Sequence, residues 1–117
     1  MEKIEEIKNR LDVAAVVVDQ DGFIIFVNKQ FEVVFGWGLN EIIGKPLTLI
    51  IPRNLHDAHH LGFSRFLATE KATVLQQALS LRAVTKDGKE FLAEHYITAA
   101  KDQGKWVFAA TIRPLLD

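Results

Sequence analysis

The sequence predicts an α+β domain whose elements follow the order helix, two strands, short helices, one longer helix and three antiparallel strands. Apolar residues recur at helical spacing near the N terminus and again between residues 55 and 68, and they alternate with polar residues in the last third of the chain. At 117 residues the chain has the length of one domain with a buried core. Residues 1–12 are read as an N-terminal amphipathic helix and residues 13–117 as the body of the domain.

Charge and cysteine content exclude several classes of function. Lysine and arginine number 14 against 15 aspartate and glutamate, and the two signs are interspersed, so we expect no surface for nucleic acid or for an anionic membrane. The absence of cysteine excludes disulfides, thiolate metal sites, cysteine nucleophiles and cysteinyl–flavin photochemistry. A charged N terminus and the lack of an apolar run of membrane-spanning length predict a cytoplasmic protein.

The first half of the chain predicts a helix, a hairpin and short helices. Ile4, Ile7 and Leu11 form an apolar stripe at helical spacing, which must be covered either by the domain body or by another subunit. Strands are predicted over residues 13–18 and 23–27, on either side of an Asp-Gln-Asp-Gly turn. Asn28 is placed to cap a helix over residues 29–35, and a further helical turn is predicted over residues 41–43.

The second half predicts the longest helix, over residues 55 to about 68 with Asn54 as its N-cap, and then three strands from Thr73 onwards. Turn sequences at residues 86–89 and 101–104 separate these strands. The inward-facing sets, by periodicity, are Leu55, His59, Phe63 and Phe66 on the helix, Leu75, Gln77, Leu79, Leu81 and Ala83 on the first strand, and Phe91, Ala93, His95 and Ile97 on the second.

Two histidines, His59 and His95, therefore occupy positions where the pattern calls for hydrophobic residues. If the helix packs over the sheet, their rings approach a common space. The alternative for each is a core histidine satisfied by a backbone carbonyl or by water. His56 and His60 fall on the flank of the helix, where no ligand is expected, and their spacing does not complete a zinc site because no glutamate follows His56 and no cysteine is present.

A series of short motifs runs in order along most of the chain. They are residues 19–22 before the second strand, Asn28 with Phe31 and Phe35-Gly36-Trp37, residues 41–46, Ile51-Pro52, residues 66–69, and Lys86-Asp87-Gly88 with Phe91. In this order, over residues 13 to 113, the chain resembles a PAS domain, the small sensor and interaction module of bacterial signalling proteins. The resemblance implies a five-stranded antiparallel sheet, with short helices and one longer helix on one face and a ligand pocket between helix and sheet.

One branch of that family, the haem-binding sensors of the oxygen-sensing kinase and phosphodiesterase kind, binds iron through a histidine on the long helix, seven residues after a proline. Pro52 and His59 have this spacing. Arg65, six residues beyond His59, stands where that branch has an arginine that meets a haem propionate. The resemblance thus implies haem b with His59 as the axial ligand and Leu55, Phe63, Leu79 and Ile97 as apolar walls.

The distal side departs from that branch. Leu79 takes the place of the distal arginine of the kinase type, and Gln77 takes the place of the sulfur ligand of the phosphodiesterase type. His95 stands where the family normally has a distal hydrophobic residue, so its imidazole can hydrogen-bond a gas ligand or bind iron itself. One such hydrogen bond contributes about 1 kcal/mol, which tunes a gas site rather than creating it. The expected function is a sensor of a diatomic gas or of redox state.

The alternative is a PAS interaction or dimerisation module whose pocket is empty or holds another small ligand. Flavin is one such ligand, which Trp37 and Gln77 can contact. No catalytic triad or phosphate-binding glycine spacing is readable, so any catalytic output is expected in a separate domain or partner. The expected partners are a small-molecule or gas ligand, an effector domain or protein, and a second copy that forms a homodimer through the N-terminal helix or the outer face of the sheet.

Overall fold

The computed structural model describes residues 3–71 and 75–115 of the chain. Its strands are β1 (Ala14–Asp19), β2 (Ile24–Val27), β3 (Ala78–Val84), β4 (Glu90–Asp102) and β5 (Lys105–Pro114), and its helices are α1 (Ile4–Lys8), α2 (Lys29–Phe35), α3 (Leu39–Ile42) and α4 (His56–Thr69). The strands of the described residues form one antiparallel five-stranded sheet in the order β2-β1-β5-β4-β3. The predicted fold class is therefore confirmed. Of the described helices, none is long and apolar enough to cross a membrane.

Asn28 joins three parts of the chain at the start of α2. Its Oδ1 accepts hydrogen bonds from the backbone N–H of Phe31 and from that of Ala15 in β1, each at 2.9 Å. Its Nδ2 donates to the carbonyl oxygens of Arg10 at 3.1 Å and Val13 at 2.8 Å. The predicted N-cap is confirmed, and the same side chain also fixes the segment that enters β1.

The helices α2, α3 and α4 pack on one face of the sheet, which we call the inner face. Phe31 and Phe35 of α2 are fully buried there, with ring centroids 4.5 Å apart. Phe66 of α4 meets the rings of Trp106 and Phe108 on β5 at centroid distances of 4.8 and 5.3 Å. These aromatic contacts hold the long helix against the sheet, because burying side chains of this size removes a large apolar area from water.

The opposite, outer face is partly covered by α1. Ile7 is fully buried and packs with Ala15, Val17 and Ala109 of the outer face. The domain's own sheet therefore covers the N-terminal stripe. The stripe is shorter than predicted, because α1 ends at Lys8 and Leu11 lies beyond it with 87% of its surface exposed.

The two edges of the sheet differ. At the β2 edge, Ile24 donates its N–H to the carbonyl of Lys45, and its own carbonyl accepts from the N–H of Gly44, both at 2.8 Å. The loop after α3 thus covers the start of that edge. At the other edge, no residue of the described ranges pairs with β3 on the side away from β4.

Several predicted boundaries are wrong. Helix α3 begins at Leu39 rather than at residue 41, and the N–H of Gly38 donates to the Glu41 carboxylate at 2.9 Å. Helix α4 begins at His56 without a side-chain cap, because Asn54 lies inside a 3-10 turn over Arg53–Leu55.

The strand predicted to start at Thr73 begins in the structure at Ala78, and Thr73 itself lies outside the described residues. The physical reason is a break in the extended backbone: Gln76 has a φ of 61°, in the left-handed region, so the alternation read from Leu75 onwards does not continue. Gln77 follows in a bend.

Candidate functional site

His59 lies on the side of α4 that faces the sheet. It is partly buried, and its ring centroid is 5.9 Å from that of Phe63, one turn further along the helix. Phe63 in turn packs on Phe108 of β5, with centroids 4.9 Å apart. The apolar helix face predicted from periodicity is therefore present, and His59 is one of its members.

His95 lies on the inner face of β4. Its neighbours across the sheet are Leu79 on β3 and Ile112 on β5. Its Nδ1 is 3.0 Å from the carbonyl oxygen of Ala93, two residues earlier on the same strand. A carbonyl only accepts, so Nδ1 carries the proton in this contact, and the lone pair of the neutral ring is on Nε2.

Burial favours the neutral form of both imidazoles. Desolvation lowers the pKa of His59 below its ordinary value of 6.5, and the neighbouring His60 and His56 lower it further. Desolvation also lowers the pKa of His95, against the opposing effect of its bond to Ala93. A neutral imidazole has the free lone pair that a metal ligand requires.

The inner face is incompletely covered at its β3–β4 end. Leu81 of β3 points to the same face as the fully buried Ala83 and Ala93, yet 40% of its surface is exposed. The other inward side chains at this end, Leu79, His95 and Ile97, are partly exposed. We call these four residues the open inner strip; they form an apolar surface with one imidazole in it.

The structure does not join the two histidines directly. Between His59 and His95, both within the described residues, there is no hydrogen bond and no ring contact. Two surface depressions lie elsewhere, one beside Leu67 and Trp106, the other beside Val34 and Thr85. The two rings therefore lie on the same inner side of the sheet without contacting each other.

The remaining predicted site residues lie at the margins. Arg65 is exposed on α4, and Leu55 is partly buried in the 3-10 turn before that helix. The inward strand position predicted for Gln77 is wrong, since Gln77 is exposed in the bend before β3. Trp37 has the Lys86 ammonium 5.4 Å from its ring centroid, and its Nε1 is buried without a hydrogen-bond partner among the described residues.

His56 has a role that the sequence does not reveal. Its Nε2 is 2.7 Å from the carbonyl oxygen of Ile51 and 3.1 Å from that of Thr48. Both partners are acceptors, so Nε2 donates and ties the first turn of α4 to the preceding 3-10 turn over Leu47–Ile50. No local motif marks such a contact, because its partners are backbone carbonyls.

The imidazoles of His59 and His95 are of the ligand type that a haem iron accepts. No group of three or more His, Cys, Asp or Glu side chains in residues 3–71 and 75–115 is placed to hold a metal ion. Haem needs only one or two protein ligands, because its ring supplies the other donors. His95 has the arrangement typical of a ligating histidine, with one ring nitrogen donating to a backbone carbonyl and the other free.

The chain matches the family model described as PAS domain over residues 12–113. It is 33% identical to an uncharacterised protein of Azorhizobium caulinodans over 105 residues, which are 89% of this chain. It is 26% identical to the oxygen sensor protein DosP of Escherichia coli over 99 residues, which are 85% of this chain. It spans only 14% and 12% of the lengths of these curated relatives.

Among solved structures, the PAS domain of a Desulfitobacterium hafniense protein superimposes with a TM-score of 0.74 at 15% identity, covering 95% of this chain and 99% of that one. This likeness shows the fold, and the family model adds the sequence pattern over most of the chain. The chain belongs to the PAS domain family of sensory signalling modules.

Proposed function

We propose that this PAS domain binds haem b between α4 and the open inner strip and senses a diatomic gas or redox state. His59 and His95 would hold the haem iron, each through the free nitrogen of a neutral imidazole. Bound haem provides reversible gas binding and one-electron redox chemistry at its iron. The single observation that carries the proposal is the hydrogen bond from His95 Nδ1 to the Ala93 carbonyl at 3.0 Å.

That hydrogen bond supports a ligand role for His95. It holds the ring orientation and sets the tautomer, so the lone pair of Nε2 is directed away from the strand and is free for a metal. In this tautomer Nε2 does not donate, which favours iron ligation over a hydrogen bond donated to a gas. His95 would therefore hold the iron through Nε2, at the position for which a diatomic gas would compete.

The other residues bind the ring and exclude water. Leu79 and Ile97 of the open inner strip provide apolar contact on the sheet side, and Phe63 provides it on the helix side. Arg65 is exposed on α4, at the solvent margin where a haem propionate would need a guanidinium partner. Leu55, in the turn before α4, borders the same side.

The similarity to a protein named as an oxygen sensor supports a gas ligand, and the short share of that relative which this chain spans supports an output that lies elsewhere. We therefore propose that an effector domain or protein receives the signal and that any catalytic output belongs to that effector. Helix α4 would carry the signal within this domain, because His59, which would hold the iron, lies on that helix.

The proposal is tested by the visible spectrum of purified protein that has been titrated with hemin and passed through gel filtration. We expect a sharp Soret band that coelutes with the protein. His59→Ala removes the band, whereas the matched control His60→Ala, an exposed neighbour on the same helix, leaves it. His95→Leu keeps a band but changes it to the five-coordinate form.

Other outcomes would overturn these assignments. If wild type shows no band after reconstitution, the chain is not a haem protein, and the interaction-module function expected as the alternative takes its place. If His59→Ala retains a wild-type spectrum, His59 is not a ligand. If His95→Leu retains a wild-type spectrum, the sixth position is not filled by His95.

A further inference from the structure

We propose that β3 is an interface: two copies of this chain pair antiparallel through their β3 edges, around a two-fold axis at Leu81, and form one continuous ten-stranded sheet. The occupant of the edge is thus a second copy of the chain. The proposal does not rest on haem binding, and the surface differs from the N-terminal helix and outer sheet face expected from the sequence.

The backbone groups that face away from β4 are identified by the neighbouring hydrogen bonds. Thr85 donates to Lys89 at 2.9 Å across the β3–β4 turn, and Leu115 donates from the β5 side to the carbonyl of Leu92. The backbone N–H and C=O groups of the odd-numbered residues of β4 therefore point towards β3. Their partners on β3 are also odd-numbered residues. The residues whose N–H and C=O groups point outward are Ala78, Ser80, Arg82 and Val84, and in the described part of the chain these groups have no backbone partner.

The strand is self-complementary around its centre. Leu81 is the middle residue of Ala78–Val84, so a two-fold axis there pairs all seven residues. In this register the outward-facing Ser80 lies opposite Arg82 of the partner, and the outward-facing Ala78 lies opposite the partner's Val84. These are hydrogen-bonded pairs, which satisfy the free edge groups of both copies.

Side chains agree with the same register. On the inner face, Leu81 meets its own counterpart, which covers a leucine that is 40% exposed in one copy. On the outer face, the small side chain of Ser80 separates the partner's Arg82 from Glu94, the residue beside Ser80 on β4. Arginine is long enough to reach across a serine to the next strand, and neither Arg82 nor Glu94 has an ion pair within the described residues.

This charge complementarity selects the register. An axis at Arg82 would place two arginines opposite each other, which is unfavourable. The Leu81 axis instead gives two symmetry-related contacts between Arg82 and the partner's Glu94. Because one strand edge buries less area than a standard interface, we expect a weak, reversible dimer in the micromolar range.

The test is sedimentation velocity of the full chain, with and without hemin, up to high micromolar concentration. We expect wild type to dimerise. Arg82→Glu and Glu94→Arg each raise the dissociation constant about tenfold, because two symmetric contacts become repulsive in each variant. The double variant Arg82→Glu/Glu94→Arg returns it to near the wild-type value. Lys105→Glu, an exposed charge at the start of β5, is the matched control and leaves it unchanged.

A second variant addresses the backbone. Ser80→Pro removes one outward N–H without touching the bonds to β4, as edge strands permit, and should abolish the dimer, whereas Ser80→Thr should keep it. Unfolding curves check that each variant is folded. A wild type that stays monomeric, a charge reversal that has no effect, or a double variant that fails to recover would overturn the proposal. Loss of the dimer only in an outer-face variant such as Tyr96→Glu would assign the interface to the sheet face instead.

Discussion

Replacement of Asn28 by alanine should destabilise the domain more than any other single polar substitution outside its core. The change removes one acceptor that serves two backbone N–H groups, those of Ala15 and Phe31, and one donor that serves the carbonyls of Arg10 and Val13. All four contacts are at most 3.1 Å long. The variant loses them together, since no other side chain makes them.

The magnitude follows from where those groups lie. Loss of an N-cap costs about 1 kcal/mol. Ala15 is completely buried in β1, so its N–H is left without a partner away from water, which costs about 1–3 kcal/mol more. The two carbonyls lie on the segment that enters β1, where water can replace the lost donor at little cost. The expected loss in the free energy of unfolding is therefore about 2–4 kcal/mol, a large part of a typical total of about 5–15 kcal/mol.

The assay is urea unfolding followed by the fluorescence of Trp37 and Trp106, with wild type and variant fitted to a two-state transition. The midpoint should fall while the slope stays constant. Asn54→Ala, an exposed asparagine in the 3-10 turn before α4, is the control and should change stability by less than about 0.5 kcal/mol. A fall of less than about 1 kcal/mol in the free energy of unfolding of Asn28→Ala would refute the view that the four hydrogen bonds of Asn28 stabilise the fold.

Two further predictions concern side chains that hold the chain locally. His56→Ala removes the donor to the carbonyls of Thr48 and Ile51, and we expect the free energy of unfolding to fall by about 1–2 kcal/mol, with faster amide exchange over residues 47–55. The control His60→Ala should show neither effect. Equal losses in the two variants would contradict this role of His56. The pKa of Asp12 is lowered from 3.8 to about 2, mainly by the hydrogen bond from Arg10 and further by a backbone hydrogen bond. The resulting stabilisation is complete above pH 3.8 and is lost as the pH falls towards 2. NMR titration should show the Asp12 pKa raised towards 3.8 in Arg10→Met, and a value that stays near 2 would rule out Arg10 as the main cause.

The sequence-based predictions that were confirmed concern features determined by contacts between residues close together in the chain. The Asp-Gln-Asp-Gly turn and the Asn28 cap follow from side chains that bond nearby backbone groups, and both are present. The start of β3 failed because Gln76 adopts a left-handed backbone conformation, which nothing about glutamine indicates. Extending the strand alternation from Leu75 therefore placed Gln77 on the inner face, where it does not lie.

The candidate site shows the same division. Periodicity alone placed His59 on the apolar side of α4 and His95 on the inner face of β4. The free nitrogen of His95 was beyond prediction, because it is set by a carbonyl two residues away whose direction depends on the strand geometry. The role of His56 was beyond prediction for the same reason.

The covered edge at β2 determines how far an assembly of this chain can grow. A sheet with two free edges can add copies at both sides and extend into an open polymer. In this domain the backbone of Gly44 and Lys45 already occupies the edge groups of Ile24, so the β2 edge is obstructed at its first residue, whereas the β3 edge has no backbone partner among the described residues. A dimer paired at β3 would present only its two obstructed β2 edges, which would disfavour extension into a fibre.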